Sequence, residues 1–219
     1  MTMSSKMLIC APMRLEARAL RSAQGSREVG REMLRGNGLH GDTTVRCTGY
    51  GPKRSAHSAV RLLAADFDVL LVAGLAGGLT PDVGSGDVVV ASEIRSRNDV
   101  VPCGAADSLA AELVRSGFPV RRGPIVSTDR LVHGSRRTEL AATGALAVDL
   151  ESAVLAQAAG ERPVAVVRVV VDAVGQPLLH PGTARRGLTA LARLHAVGAC
   201  LRRWGRHIPP EIHTTREEA

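Results

Sequence analysis

The feature that most limits how this chain can fold is a series of short aliphatic runs, each the length of one strand, separated by stretches with helical spacing. The runs are Met7–Ala11, Val45–Thr48, Val69–Ala73, Asp87–Ile94, Pro124–Ser127, Ala147–Leu150 and Val164–Val171. Val69–Ala73 is nearly all aliphatic, as suits a parallel strand covered on both faces. Between the runs, Leu15, Ala19 and Leu20 recur among arginines, and Ser55–Ala65 sets Ala59, Leu62 and Leu63 along one side of a helix. Leu109–Arg115 and Glu151–Ala159 also read as helices, and a last helix over Thr183–Arg203 carries a stripe of Leu188, Leu191, Leu194 and Leu201. Alternation of this kind predicts an α/β fold around a mainly parallel sheet. The glycines of Gly74–Gly78 read as a turn, and Arg95–Ala106 as an irregular polar stretch.

With 219 residues and 45% hydrophobic side chains there is material for one substantial core. One domain is expected over residues 1–205, with a charged, aperiodic C-terminal tail over 206–219. No apolar run reaches the length of a membrane span, and Met1–Lys6 leads into too few apolar residues for a secretory signal, so a cytoplasmic location is expected. Cys10, Cys47, Cys103 and Cys200 are far apart, with neither C-x-x-C nor zinc-like spacing, and read as reduced and mostly buried. His133 and His180 stand alone, so no metal site is expected. The formal net charge of +7 rests almost wholly on arginine, Lys6 and Lys53 being the lysines. One Trp, one Tyr and two Phe are too few for a base-stacking platform, which argues against nucleic acid and leaves an anionic membrane surface as a partner for the basic exterior.

Ligands of open parallel sheets bind beyond the carboxyl ends of the strands. The polar and glycine residues just past the aliphatic runs are Glu16, Gly49–Lys53, Gly74–Gly78, Ser127–Asp129, Asp149 with Glu151, and Asp172. Asp172 ends an apolar strand, where desolvation favours a retained proton, although a cap on the next turn is the plainer role. Glu151 suits either a vicinal diol, which a carboxylate grips with two hydrogen bonds, or a helix start favoured by the dipole. Asp149 divides evenly between ligand contact and structure. Glu16, on an arginine-rich helix, reads by itself as a surface ion-pair partner. Gly51, Lys53 and Arg54, with Gly49 and Arg14, form either an anion-binding turn or a solvated basic helix start. Position 54 breaks G-x-G-x-x-G and there is no Walker sequence, so dinucleotide and nucleoside triphosphate sites are not expected.

Four segments taken in order resemble the methylthioadenosine/S-adenosylhomocysteine nucleosidase branch of the nucleoside phosphorylase superfamily: Ala11–Ala17 (APMRLEA), Val72–Leu79 (VAGLAGGL), Val148–Ala153 (VDLESA) and Val167–Ala173 (VRVVVDA). With Gly84–Val90, the likeness covers roughly residues 7–200. It implies a three-layer αβα domain with a mixed, mainly parallel sheet, and cleavage of the bond between ribose and purine. It implies Asp172 as general acid at purine N7, Glu151 on the ribose hydroxyls, Glu16 activating the attacking water, and Arg168 beside these acids. Gly77 and Leu75 in the glycine-rich segment, Leu150 against the sugar, and Leu131 with Val132 around the base complete the implied site. Leu75 and Val171 replace serines, Leu131 an aromatic, and Asp149 a glutamate of that pattern. The first and third motifs, with the arginine-rich, aromatic-poor background, look most like the hopanoid-associated branch, which implies adenosylhopane as substrate. Methylthioadenosine, S-adenosylhomocysteine or futalosine is the alternative, and a non-catalytic binding protein the reading from another class. No cofactor is implied, phosphate or water serves as acceptor, and a homo-oligomer is expected.

Overall fold

The computed structural model describes residues 5–23, 43–174 and 182–208 of the chain, Thr183 by its backbone alone. Expectations for His180 and for the segment from Pro209 onward lie outside these residues.

Strands β1 (Met7–Ala11), β2 (Thr43–Cys47), β3 (Val69–Gly78), β4 (Val88–Arg95), β5 (Val100–Pro102), β6 (Val120–Ser127), β7 (Ala147–Asp149) and β8 (Val164–Asp172) form one sheet. Helices α1 (Arg14–Ser22), α2 (Pro52–Leu63), α3 (Ala106–Arg115), α4 (Ser135–Ala141), α5 (Ser152–Gln157) and α6 (Gly182–Gly205) flank it. The fold is the mixed α/β arrangement expected. α6 packs between α1 and α3, while α2 packs on α5, so the helices form two groups around the sheet.

The sheet runs β2-β1-β3-β7-β6-β4-β5, and β8 pairs with both β3 and β4. The order therefore closes a ring through β3, β8, β4, β6 and β7, which strand periodicity alone does not disclose. Parallel pairs join β1 to β2 and β3, β3 to β8, β4 to β6 and β6 to β7. The pairs β3–β7, β4–β5 and β4–β8 are antiparallel. β5 lies within the stretch expected to be irregular: Val101 is buried opposite Ile94, and that short pairing is enough to order it.

The glycine-rich segment after Ala73 is not a turn. β3 continues to Gly78, with Gly74 opposite Arg168 and Gly77 opposite Asp172 across β8, and a register shift between Ala76 and Gly77. Glycine within a strand marks a close approach to the backbone. A Cβ on Gly74 would lie 2.7 Å from Arg168 Nη1 and 2.8 Å from Glu16 Oε1, and one on Gly77 3.0 Å from Arg137 Nη2.

Two helix faces also differ from their sequence pattern. In α1 the buried residues are Glu16, Ala17 and Leu20, and Leu15 is 60% exposed. In α6 Leu188 is 69% exposed and Leu191 half-buried, and the buried stripe is Ala190, Leu194, Val197, Leu201 and Trp204. Likewise Leu63 of α2 faces solvent and Ser55 is buried in its place. Of the cysteines, Cys47 is exposed and the other three are buried.

Candidate active site

Segments at the ends of β1, β2, β3, β6, β7 and β8 line one cavity of about 310 Å³. This lies at the lower end of the range usual for small-molecule sites, about 300–1,000 Å³. Glu16 enters it from the first turn of α1. Its Oε2 accepts the Met13 N–H at 2.7 Å, which caps the helix start and draws the side chain inward. Its Oε1 accepts the Leu75 N–H, also at 2.7 Å. Burial is the largest influence on the carboxyl and lifts its pKa from 4.5 to about 7; the charge of Glu151 adds to the rise, while Arg168 and the two N–H donors oppose it. The surface ion-pair role therefore does not describe Glu16.

Glu151 stands at the N-cap of α5, buried, with Oε1 accepting the Gly51 N–H at 2.8 Å and Oε2 3.9 Å from Arg168 Nη2. Burial first, and the charge of Asp149 next, raise its pKa, with Arg168 opposing. Asp149 also borders the cavity, but both its oxygens are engaged. Oδ1 accepts the Ser127 hydroxyl and the N–H groups of Glu151 and Ser152, each of the latter at 3.2 Å. Oδ2 accepts the Ser152 hydroxyl at 2.5 Å and lies 2.8 Å from Arg168 Nη2. In this arrangement Asp149 holds the start of α5 and anchors Arg168.

Arg168 is the largest fully buried side chain, at 0% exposure. Its Nη2 also donates to Ser152 Oγ at 2.8 Å, whereas Nε and Nη1 have no partner among the described residues. A guanidinium buried this deeply is tolerable only beside opposite charge, which Asp149, Glu151 and Glu16 supply. Nη1 packs on the same face of Gly74 as Glu16 Oε1.

Asp172 ends β8, buried as the sequence implies but not in purely apolar surroundings. Arg137, on α4, pairs with Oδ2 at 2.5 Å, donates to the Asp172 carbonyl at 3.0 Å, and binds the Gly78 carbonyl through Nε at 2.9 Å. Arg137 thus ties α4 to the ends of β3 and β8. The sequence reading missed it, because a seven-residue helix bearing three charges shows no periodic signal.

Leu75, Gly77, Leu131, Val132, Val148, Leu150 and Val171 form the apolar walls, with Leu131 exposed at the rim. Tyr50, the only tyrosine, also borders the opening. Gly51, Lys53 and Arg54, the candidate anion turn, do not line this cavity. The Gly51 N–H is bound to Glu151, and Lys53 and Arg54 line an adjoining groove instead. Ser152 and Met13 complete the set that sequence reasoning missed, whereas Ser127, at the end of an aliphatic run, was among the rim residues it singled out. No group of histidine, cysteine and acidic residues suited to a metal ion occurs among the described residues.

The architecture is shared with solved nucleosidases. Campylobacter jejuni 5′-methylthioadenosine/S-adenosyl homocysteine nucleosidase superposes with a TM-score of 0.71 at 18% identity, covering 91% of this chain and 99% of that one. S-adenosylhomocysteine nucleosidase from Streptococcus pyogenes, in complex with 5-methylthiotubericidin, gives 0.71 at 20% identity over 95% and 99%. Futalosine hydrolase of Helicobacter pylori gives 0.67 at 18% identity over 94% and 98%. Residues 6–200 match the sequence model of the Phosphorylase superfamily, and the chain belongs to that family.

Proposed function

We propose that this protein cleaves the N-glycosidic bond of a 5′-substituted adenosine and releases adenine, with water as the attacking group. The observation that carries the reading is the meeting of Glu16, Glu151 and Asp172, from three distant parts of the chain, around one cavity. Breaking the bond leaves positive charge on the sugar and negative charge on the base, so a catalyst must protonate the base and hold the sugar. In this reading the purine lies between the aliphatic walls with N7 toward Asp172, whose Oδ1 has no hydrogen-bond partner among the described residues. Glu151 takes the ribose diol on its cavity side. Glu16, with its pKa raised to about 7, removes the proton from a water on the opposite face of the sugar. Arg168, fully buried behind the cavity, supplies the countercharge to Asp149 and Glu151. Phosphate is a poor acceptor here, since it would face the carboxylates of Glu16 and Glu151, while Lys53 and Arg54 lie outside this cavity.

Two substrate classes follow from the same chemistry. An adenosylhopane requires a wide, apolar 5′ side. With the base at Asp172 and the diol on Glu151, C5′ points toward Pro12, Met13 and Tyr50, beyond which Arg14, Lys53 and Arg54 line the walls together with apolar surface. That lining favours the smaller substrates of the methylthioadenosine, S-adenosylhomocysteine and futalosine type. Peripheral contact of the basic exterior with anionic membrane, and assembly into a homo-oligomer, belong to the same reading; among the described residues no helix is long and apolar enough to cross a membrane. Adenine release, followed by chromatography from methylthioadenosine and adenosylhopane with and without phosphate, tests the proposal. Release from methylthioadenosine independent of phosphate is expected. Release from the hopanoid alone reverses the substrate assignment, and release from neither refutes the activity.

A further inference from the structure

The wall of the cavity carries the acids Glu16, Asp149, Glu151 and Asp172, and Arg137 is the only cation among the described residues that line it. Glu16, Asp149 and Glu151 share the buried Arg168. Asp172 is paired with Arg137 instead. Arg136, the preceding residue of α4, pairs with Glu139 on the surface, whereas the Arg137 side chain is drawn inward and only 15% exposed. Contacts with the carbonyls of Gly78 at 2.9 Å and Asp172 at 3.0 Å already tie α4 to the sheet. The contact with Asp172 Oδ2 at 2.5 Å goes further, since it engages one oxygen of a carboxyl that borders the cavity. Gly77 leaves room for both groups: a Cβ there would lie 3.0 Å from Arg137 Nη2 and 3.3 Å from Asp172 Oδ1.

We propose that Arg137 is the positioning residue for the general acid: by donating to Asp172 Oδ2 it places the transferable proton on Oδ1, the oxygen left to meet the purine, and it supplies the countercharge once that proton has gone. The inference rests on the nucleosidase reading and adds to it the group that acts on Asp172. In the step itself the Oδ1–H bond breaks as an N7–H bond forms, and the C1′–N9 electron pair passes to the base. Water adds its oxygen to C1′ and gives a proton to Glu16. Asp172 is left as a carboxylate in a cavity with apolar walls, which is costly without a partner already in place. A guanidinium fixed by two backbone carbonyls is such a partner, oriented before the reaction rather than by it. A lysine would carry the charge but not the planar fork that reaches Oδ2 and both carbonyls together.

The test compares two substrates with the same sugar, methylthioadenosine and 4-nitrophenyl 5-methylthioriboside, whose nitrophenolate leaves without a proton from the acid. For Arg137→Met, kcat for methylthioadenosine is expected to fall by about tenfold or more with KM within about threefold of the wild type, a part of the 10²–10⁴ or so that general-acid catalysis supplies. The nitrophenyl substrate should keep its wild-type kcat to within about threefold, since its departure does not draw on the acid. An equal loss on both substrates marks Arg137 as an anchor for α4 alone and overturns the proposal, as does no loss on either. If circular dichroism shows Arg137→Met unfolded, the same ratio measured on Arg137→Lys decides in its place. If the wild type cleaves methylthioadenosine alone, the division between kcat and KM decides, and a loss confined to KM overturns the proposal. Cleavage of neither substrate by the wild type refutes the nucleosidase reading and this proposal with it, whereas an equal loss in the variant leaves that reading standing.

Discussion

Replacing Glu16 by glutamine while varying pH probes stability and chemistry through a single group. Burial raises the carboxyl from 4.5 to about 7, so the folded protein binds this proton more tightly than the unfolded chain does. Its contribution to stability is therefore fully present below about pH 4.5 and is lost as pH rises through about 7. With those two values, linkage gives a loss of about 2.5 kcal/mol between pH 5 and pH 8. Urea unfolding of the wild type and of Glu16→Gln at the two pH values isolates the term: the gap between the proteins should shift by about that amount in favour of the variant as pH rises. A constant offset is expected besides, because the amide NH₂ would face the Leu75 or Met13 N–H and leave one donor unmatched, a cost of about 1–3 kcal/mol. In the activity assay Glu16 must be ionised to accept a proton, so kcat/KM of the wild type should fall on the acid side with an inflection near pH 7, with about a tenth of its plateau left at pH 6. A gap independent of pH, together with an acid limb inflecting near pH 4.5, would refute both the buried placement and the role as base.

Other changes probe the remaining parts. Asp172→Asn should lower kcat for adenine release by about 10²-fold or more while circular dichroism shows an intact fold, since general-acid catalysis is worth about 10²–10⁴. Gly74→Ala should lower Tm and activity together, because the added methyl would sit 2.7 Å from Arg168 Nη1; overpacking of this kind costs about 1–3 kcal/mol. Arg168→Met should cost about 3–5 kcal/mol in urea unfolding by leaving Asp149 and Glu151 without a countercharge, and an unaffected Cm would show that these acids do not depend on it. Sedimentation at micromolar concentration should reveal a homo-oligomer, and a monomer throughout would remove that part of the reading.

What the sequence disclosed and what it hid divide along physical lines. Val69–Ala73 was legible because burial on both faces leaves no polar position to confuse the pattern, and Val164–Val171 was legible despite Arg168, whose charge is buried against acids from other elements. Asp172 was legible for the same reason, as an acid that ends an apolar run, while Glu151 stood out by its motif Val148–Ala153. Gly74–Gly78 was misread because glycine serves both turns and strands, and only the side chains of Arg168, Glu16 and Arg137, remote in sequence, show which use applies here. Glu16 and Leu15 exchanged faces because a reach-back cap to Met13 outweighed the apolar pattern of α1. Arg137 was invisible, since its partners Gly78 and Asp172 meet it only through tertiary structure. The ring closed by β8 was equally hidden, because strand periodicity reports faces and not neighbours.

The measurement that bears most directly on the account is a rapid-quench assay of adenine formation from methylthioadenosine in phosphate-free buffer, run on the wild type and on Glu16→Gln. The account predicts adenine and a free pentose from the wild type, and a loss of about 10²-fold or more in the variant. Absence of adenine until phosphate is supplied, with a pentose 1-phosphate as the second product, or equal rates from both proteins, would contradict it.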